Sequence, residues 1–376
     1  MSRILIVTGE ASGDVHGANL AKALKALDPD LSLLGVGGAR MQAAGVELVQ
    51  GVSQLDVIGL IGPSAVQALI HRVLRVRRIL QQEPLDLVVL IDNPGLNLHF
   101  ARIAKKAGHR VVYYIAPQLW AWRPRRMKWM QRRVDHVVVI LPFEEDLYRR
   151  AGVACTFVGH PLLDEVAPSY DRSELRKRFG FDADGPVIGL LPGSREGEVR
   201  TLLPIMLQAV TRLAGVHPGL QFVVAQASSI RNGLIEELSA EAGMGVRVIR
   251  DQANEVMAAA DLLLVASGTA TLQAAMIGTP LVIVYRVPWL TYWIARWLIR
   301  VNWIGLVNIV AGRQIVPELI QQEATSGRLT EEAAHLLLDR EAYDMMKAAL
   351  TTVRGSLGEP GASRRAAAVV LAERQV

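Results

Sequence analysis

Between Gly185 and Glu198 the chain reads GPVIGLLPGSREGE: an apolar run of strand length from Val187 to Leu191, a tight turn at Pro192-Gly193-Ser194-Arg195, and a helical pattern from Glu196 onward. A strand that empties through a glycine turn into a helix N-terminus is the repeating unit of a parallel sheet covered by helices on both faces. The same order recurs along most of the chain. Ile4 to Val7 is followed by the turn Gly9 to Asp14 and by a helix with Leu20, Leu24 and Leu27 on one face. Further strands are predicted at Leu31 to Val36, Leu85 to Ile91, Arg110 to Ile115, His136 to Leu141 and Thr156 to Val158. From Val187 the alternation restarts, with strands at Phe222 to Ala225, Val246 to Ile249, Leu262 to Val265 and Leu281 to Tyr285. The chain has 376 residues, too many for one ordinary core. It is therefore expected to be α/β, with two doubly wound Rossmann-like domains and an inter-domain cleft. The domains are expected to meet near residues 160 to 185, where Pro161, Pro168 and the polar run Ser169 to Ser173 read as a linker.

In open sheets of this kind ligands sit beyond the carboxyl ends of the strands, so function is sought in the turns that follow strands. Pro192 to Arg195 is the strongest of them: the N-H groups and dipole of a helix N-terminus attract an anion, and Arg195 adds a planar charged fork suited to phosphate. Ser267-Gly268-Thr269-Ala270-Thr271 repeats that logic after a second strand. One such turn can be a plain Ser/Thr helix cap, whereas two in one domain suit both phosphates of a nucleotide diphosphate. Gln273 stands one helical turn further, within reach of a ribose hydroxyl, and Asn308 is a polar residue amid apolar ones, a satisfied loop amide or a ligand contact. Asp92 closes a strand and can take a proton from a hydroxyl, or it opens the next helix as an Asx turn. Glu10 and Asp14 can meet a sugar or cap the helix before Leu20. Gly35-Val36-Gly37-Gly38 reads as a structural turn, since Arg40 stands where a dinucleotide fingerprint needs a small residue; a Walker lysine is also missing after Gly193.

The net charge of +5 favours anionic partners, and the single cysteine, Cys155, excludes an internal disulfide framework and a cysteine-based zinc site. The N-terminus lacks the pattern of a signal peptide, and no uncharged apolar run approaches the roughly 20 residues of a spanning helix, so a cytoplasmic, non-integral protein is expected. Two apolar-basic segments stand out. From Val66 the residues Leu69, Ile70, Val73, Leu74 and Leu80 share a helical stripe with Arg72, Arg75 and Arg78 opposite and Arg77 inside it. A core-facing helix, the usual explanation, gives most of that pattern, whereas the arginine inside the stripe suits a helix whose long side chains snorkel toward lipid headgroups. Trp289, Trp293 and Trp297 recur every four residues near Arg296, Arg300 and Trp303, as at a membrane interface or an apolar ligand pocket. The densest basic patch, Trp120-Ala121-Trp122-Arg123-Pro124-Arg125-Arg126 with Lys128, Arg132 and Arg133, also suits single-stranded RNA.

These stretches together resemble the lipid-A-disaccharide synthase family: GEASGD at 9 to 14, LIDNPGLN at 90 to 97, APQLWAWR at 116 to 123, LPFE at 141 to 144, FVGHP at 157 to 161, LLPGSREGEV at 190 to 199, ASGTATLQ at 266 to 273, VYR at 284 to 286 and NIVAGR at 308 to 313. The resemblance implies a glycosyltransferase of the two-Rossmann B type (GT-B). It would join UDP-2,3-diacylglucosamine to 2,3-diacylglucosamine 1-phosphate (lipid X), with inversion, to give a β-1,6 disaccharide and UDP. It also implies no cofactor, no metal, no nucleic acid, and peripheral attachment at the inner face of the cytoplasmic membrane of a Gram-negative cell; a homodimer is left open. On this resemblance Asp92 is the base, Glu10 a substrate contact, and Arg195 and Asn308 active-site residues; Gly193, Ser194, Ser267, Gly268, Thr269, Ala270 and Gln273 complete the UDP site. Val66, Leu69, Ile70, Val73, Leu74, Trp289, Trp293 and Trp297 would touch membrane or acyl chains. Gln273 stands where relatives commonly have glutamate, Gly95 replaces an aspartate often seen there, and Gly62-Pro63 alters a loop. The expected division is an acceptor domain at 1 to 165, a UDP-sugar domain at 166 to 350, and a C-terminal helix within 351 to 376 packed on an N-terminal domain. The competing readings are another UDP-sugar transferase, a UDP-N-acetylglucosamine 2-epimerase, or a non-catalytic nucleotide-regulated protein docking on membrane or RNA.

Overall fold

The computed structural model describes residues 2–9, 11–50, 52, 63–119, 126–182, 185–243, 245–289, 292 and 302–374, apart from the side chains of residues 11 and 63–66. It divides into two units, one formed by Met1–Asp164 with Leu357–Val376 and the other by Glu165–Ser356.

In the first unit the strands are β1 (Arg3–Val7), β2 (Ser32–Val36), β3 (Glu47–Leu48), β4 (Leu87–Ile91), β5 (Arg110–Tyr114), β6 (His136–Val139) and β7 (Cys155–Phe157). Between them lie α1 (Ala11–Leu27), α2 (Ala39–Ala43), α3 (Pro63–Gln82), α4 (Pro94–Lys106), α5 (Met127–Arg133) and α6 (Pro142–Arg150). Among the described residues the sheet has seven strands in the order β3-β2-β1-β4-β5-β6-β7. All its pairings are parallel, with Ile4 opposite Leu87 and Val7 opposite Leu90. Side chains alternate between faces, and both faces are covered, so the strands read as unbroken apolar runs. Leu5 and Val7 join Val76, Leu80, Phe100 and Met130 in one core; Ile4 and Ile6 join Leu20, Leu24, Ala366 and Val370 in the other.

The second unit holds α7 (Arg172–Arg178), β8 (Val187–Leu191), α8 (Glu196–Val216), β9 (Gln221–Gln226), α9 (Leu234–Glu241), β10 (Arg247–Arg250), α10 (Ala253–Ala259) and β11 (Leu262–Ala266). It continues through α11 (Ala270–Ile277), β12 (Leu281–Tyr285), α12 (Leu306–Ala311), β13 (Glu318–Ile320), α13 (Ser326–Leu338) and α14 (Arg340–Ser356). Among the described residues its sheet is six-stranded and parallel, in the order β10-β9-β8-β11-β12-β13. By length and composition α8 alone among the described helices could cross a membrane. Its Val199, Leu202, Leu203, Met206, Leu207, Val210 and Leu213 are nevertheless buried within the unit, which makes it a core helix.

The chain then returns to the first unit as α15 (Ala362–Arg374), packed against α1. Fully buried Ala366 and Ala367 let it approach closely, Arg374 pairs with Asp28 at 2.7 Å, and Glu373 pairs with Arg110 and with His136. The crossing lies within the stretch expected to link the domains, whereas the extent of that linker and the point of return differ from expectation. The crossing falls at Asp164, and Arg172 and Ser173 already belong to α7, whose start Asp171 caps by accepting from the Glu174 N-H at 3.0 Å. The return falls at Leu357 because α14 runs unbroken to Ser356. The two- and three-residue edge strands β3 and β13 are too short to carry a period.

Candidate active site

Strand order fixes where each sheet can bind. In the second unit β8 lies between β9 and β11, and the sheet is wound outward in both directions from the β8–β11 pair. The crevice of such a sheet opens at that switch point, beyond the strands' carboxyl ends. The turns leaving these two strands are Pro192 to Arg195 and Ser267 to Thr269, the two the sequence singles out. Gly193 has φ 116°, a left-handed angle that excludes most side chains, and a Cβ there would press on Glu198. Neither helix that follows is capped by a side chain: Arg195 is the N-cap of α8 and Thr269 that of α11. Nearby hydroxyls face other partners, Ser267 Oγ donating to the Ile304 carbonyl at 3.1 Å and Thr271 Oγ1 to the Gly268 carbonyl at 2.8 Å. The plain Ser/Thr cap is thereby set aside. Gly268 and Thr269 are exposed and Ala270 half-buried, so an anion can approach the α11 terminus. Ser194 is exposed and its carbonyl accepts from Ser229 Oγ at 2.6 Å. Arg195 is exposed, its guanidinium 3.0 Å from Glu198. Gln273 is half-buried and donates to Asn254 at 3.2 Å.

Asn308 differs from the ligand contact expected of it. It is fully buried, its Nδ2 donating to the Val316 carbonyl at 3.0 Å and to Glu318 at 2.8 Å, and its Oδ1 accepting from the Ile315 and Val316 N-H groups at 2.8 and 3.0 Å. The side chain has no capacity left for a ligand. Glu318, which the sequence does not advertise, also accepts from the Ile304 and Gly305 N-H groups at 2.9 and 3.0 Å. A hydrogen-bonded line thus runs from Asn308 through Glu318 and Ile304 to Ser267, and fixes the turn after β11 from behind.

In the first unit the switch point falls between β1 and β4. Beyond β4 the backbone turns sharply: Asp92 and Asn93 have φ 49° and 43°, left-handed angles that Asp and Asn tolerate better than other residues. The Asp92 carbonyl accepts from the Tyr113 hydroxyl and, at 2.8 Å, from Asn97 Nδ2, which pins the residue and aims its side chain. Burial holds the Asp92 carboxyl above the ordinary carboxylate range, against a hydrogen bond from the Asn93 N-H that favours the anion. The turn after β1 touches this one, since a Cβ on Gly9 would lie 1.8 Å from Asn93 Nδ2. Glu10, next in sequence, lies outside the described residues. Asp14 does not cap its own helix: its carboxylate accepts from the N-H groups of Gly38, Arg40 and Met41 at 2.7, 3.1 and 3.1 Å and so caps α2. Two histidines of this unit, His16 and His160, interact electrostatically. Burial pushes His160 down to about 4, aided by the charge on His16, and His160 Nδ1 accepts from the Leu162 N-H at 3.2 Å.

The apolar stripe of α3 splits. Leu80 is fully buried, as is Val76, which the expected stripe omits; Leu69 and Val73 pack against the same core rather than facing outward as expected, while Ile70 and Leu74 are 52% and 50% exposed. The Val66 side chain, Trp293, Trp297 and the basic patch from Trp120 to Arg125 lie outside the described residues. Trp289 is described, and is exposed.

The geometry so far is that of two Rossmann-like units, each with turns gathered at its switch point, and comparison with known proteins decides which family such a chain belongs to. The model of lipid-A-disaccharide synthetase matches residues 4–372. The chain belongs to the lipid-A-disaccharide synthetase family. It is 46% identical to the lipid-A-disaccharide synthase of Geobacter metallireducens over 370 residues, 98% of this chain and 96% of that one. Among solved structures it resembles a putative UDP-N-acetylglucosamine 2-epimerase from Listeria monocytogenes (TM-score 0.66, 14% identity, 97% and 94% of the two chains) and MurG from Acinetobacter baumannii (0.59, 15%, 99% and 100%). At such identities the likeness shows the GT-B fold alone. Membership of the synthetase family does not favour the epimerase, although its fold is shared.

Proposed function

We propose that this chain transfers the sugar of UDP-2,3-diacylglucosamine to the 6-hydroxyl of 2,3-diacylglucosamine 1-phosphate, releasing UDP and forming the β-1,6 disaccharide of lipid A. The observation that carries the reading is the pair of helix N-termini without side-chain caps at the switch point of the second unit, in a chain of this family. UDP lies in that unit: its diphosphate meets the termini of α8 and α11, with Gly193, Ser194, Gly268, Thr269 and Ala270 lining the turns, Arg195 adding charge and Gln273 reaching the ribose. Asp92 takes the proton of the 6-hydroxyl as that oxygen attacks the anomeric carbon from the face opposite UDP. The bond from the anomeric carbon to the diphosphate oxygen breaks as the new bond forms, which inverts the centre. The charge developing on the leaving diphosphate is met by Arg195 and the two helix dipoles. Glu10 is assigned to the acceptor, and Asn308 positions Ser267. Catalysis takes place at the inner face of the cytoplasmic membrane, where both acylated substrates reside.

The test is mass spectrometry of the product made by purified protein from the two acylated substrates. A disaccharide 1-phosphate whose new linkage is β-1,6 by NMR is expected. Epimerised UDP-sugar, or UDP bound without turnover, overturns the reading.

A further inference from the structure

Helices α3 and α4 pack side by side on the same face of the first sheet and leave between them a groove of about 390 Å³. Its walls are Arg77 and Gln81 from α3, four residues apart on one face, and His99, Arg102 and Lys106 from α4, spaced three and four apart on one face. Among the described residues none of Arg77, Arg102 and Lys106 has a carboxylate partner, whereas other basic groups of this unit do: Arg3 pairs with Glu83, and Lys105, beside Lys106, pairs with Asp135. Unpaired cations converging on a concave wall form a receptor for a compact anion. The arginine that sits inside the apolar stripe of α3 therefore lines a groove. Its neighbours along the same line of the helix, one and two turns toward the N-terminus, are the exposed Leu74 and Ile70. On the far side of α4, α5 carries Trp129, 41% exposed, with the Arg126 and Arg133 guanidinium carbons 5.4 and 4.7 Å from its ring centre. Burial, then the like charges of Arg102 and Arg132, hold Arg133 below its ordinary value, so the positive field extends across α4 to α5.

We infer that the groove between α3 and α4 seats the phosphate of an anionic phospholipid headgroup, with Ile70 and Leu74 set into the acyl boundary beside it. Exposed aliphatic Ile70 and Leu74 next to the cations favour a bilayer over RNA, which has no apolar layer to receive them. The inference rests on the reading of this protein as a membrane-surface enzyme and gives that surface one discrete lipid site. Such a site, unlike a diffuse basic field, is saturable and selects by position as well as by charge.

The experiment uses the full-length protein and two variants of equal charge loss: Arg77→Gln/Arg102→Gln/Lys106→Gln in the groove, and Arg75→Gln/Arg78→Gln/Arg132→Gln on the exposed surface outside it. Binding is measured to vesicles of phosphatidylcholine with and without phosphatidylglycerol, and to monomeric dihexanoyl phosphatidylglycerol. Three basic groups near a membrane are together worth on the order of 100-fold in vesicle affinity, so both variants weaken on anionic vesicles. Only the groove variant is expected to lose at least about tenfold of the saturable binding of the monomeric lipid, with unchanged melting temperature and unchanged turnover of detergent-dispersed substrates. Equal loss in both variants, or none in the groove variant, overturns the groove while leaving membrane attachment intact. Wild-type protein that ignores both kinds of vesicle overturns the attachment and the groove together. Tighter binding of a single-stranded RNA oligonucleotide than of anionic vesicles, lost in the groove variant, assigns the groove to nucleic acid and overturns the proposal.

Discussion

Asp92 joins two demands that pull in opposite directions. Its left-handed backbone and its partly buried carboxyl both cost stability, and the burial that raises its proton affinity makes it a better base near neutral pH. Asp92→Asn keeps the shape and suits the same backbone angle, so the variant is expected to fold as well as the wild type or slightly better, while single-turnover rates fall by roughly 10² to 10⁴. In the wild type the acid limb of the rate should lie above the ordinary carboxylate range, because the ionised form is the active one; a near wild-type rate for the variant removes Asp92 from catalysis. The same raised proton affinity means that Asp92 favours the fold most at low pH and loses that contribution as the carboxyl ionises. His160 acts with the opposite sign. Its proton affinity is depressed to about 4 in the fold, so it contributes stability that is complete above about 6.5 and is lost as pH falls to about 4, a loss on the order of 3 kcal/mol. Thermal melts of His160→Asn, which keeps an acceptor for the Leu162 N-H, should show a shallower acid limb between those pH values. An unchanged acid limb would mean that other groups set it.

At the scale of elements, a helix terminus and a helix face each make a separable claim. Arg195→Ala leaves both helix termini in place, so UDP affinity measured by calorimetry should fall by roughly 1.5 to 3 kcal/mol, the contribution of a hydrogen bond to a charged group, without loss of fold. Unchanged affinity would assign the diphosphate to the backbone alone. In α3 the stripe of five apolar residues divides into a core edge and a surface edge. Val76→Ala with Leu80→Ala should cost about 2 to 5 kcal/mol at the leucine and less at the valine. Ile70→Ser with Leu74→Ser should leave melting nearly unchanged and reduce retention on vesicles or detergent. A large drop in melting temperature for the second pair would place those residues in a core. Periodicity alone could not make this division, because residues three and four apart share a face whether that face is half or fully covered.

At the scale of the molecule, the winding was legible because a parallel sheet covered on both faces writes each strand as a plain apolar run: Val187 to Leu191 and Leu281 to Tyr285 were read to the residue. The two turns at the switch point of the second unit were legible for a related reason, since each follows the end of a plainly apolar strand. The roles of Asp14 and Asn308 were not. Asp14 reaches N-H groups more than twenty residues away, Gly38 to Met41, and Asn308 holds a loop it precedes and a glutamate on a three-residue strand. No local pattern distinguishes a polar side chain that holds backbone from one that holds a ligand. The C-terminal helix and its place on an N-terminal domain were legible; that it packs on α1 of its own chain is seen only in the structure. Removing residues 357–376 takes Ala366, Ala367 and Val370 out of the first core and uncovers α1. The truncated chain should therefore retain UDP binding in the second unit while the first unit becomes sensitive to protease. Uniform resistance of the truncated protein would show α15 to be dispensable.

The return of α15 also bears on how such a chain comes into being. Met1–Asp164 and Leu357–Val376 belong to one unit, and the other is encoded between them. As a ribosome delivers the chain from its N-terminus, the residues of the middle unit are all available before the last helix of the outer one exists. Domains generally fold as units during synthesis; here the half begun first must be the half finished last. For the interval in which Glu165–Ser356 emerges, the apolar face of α1 waits for a partner not yet translated.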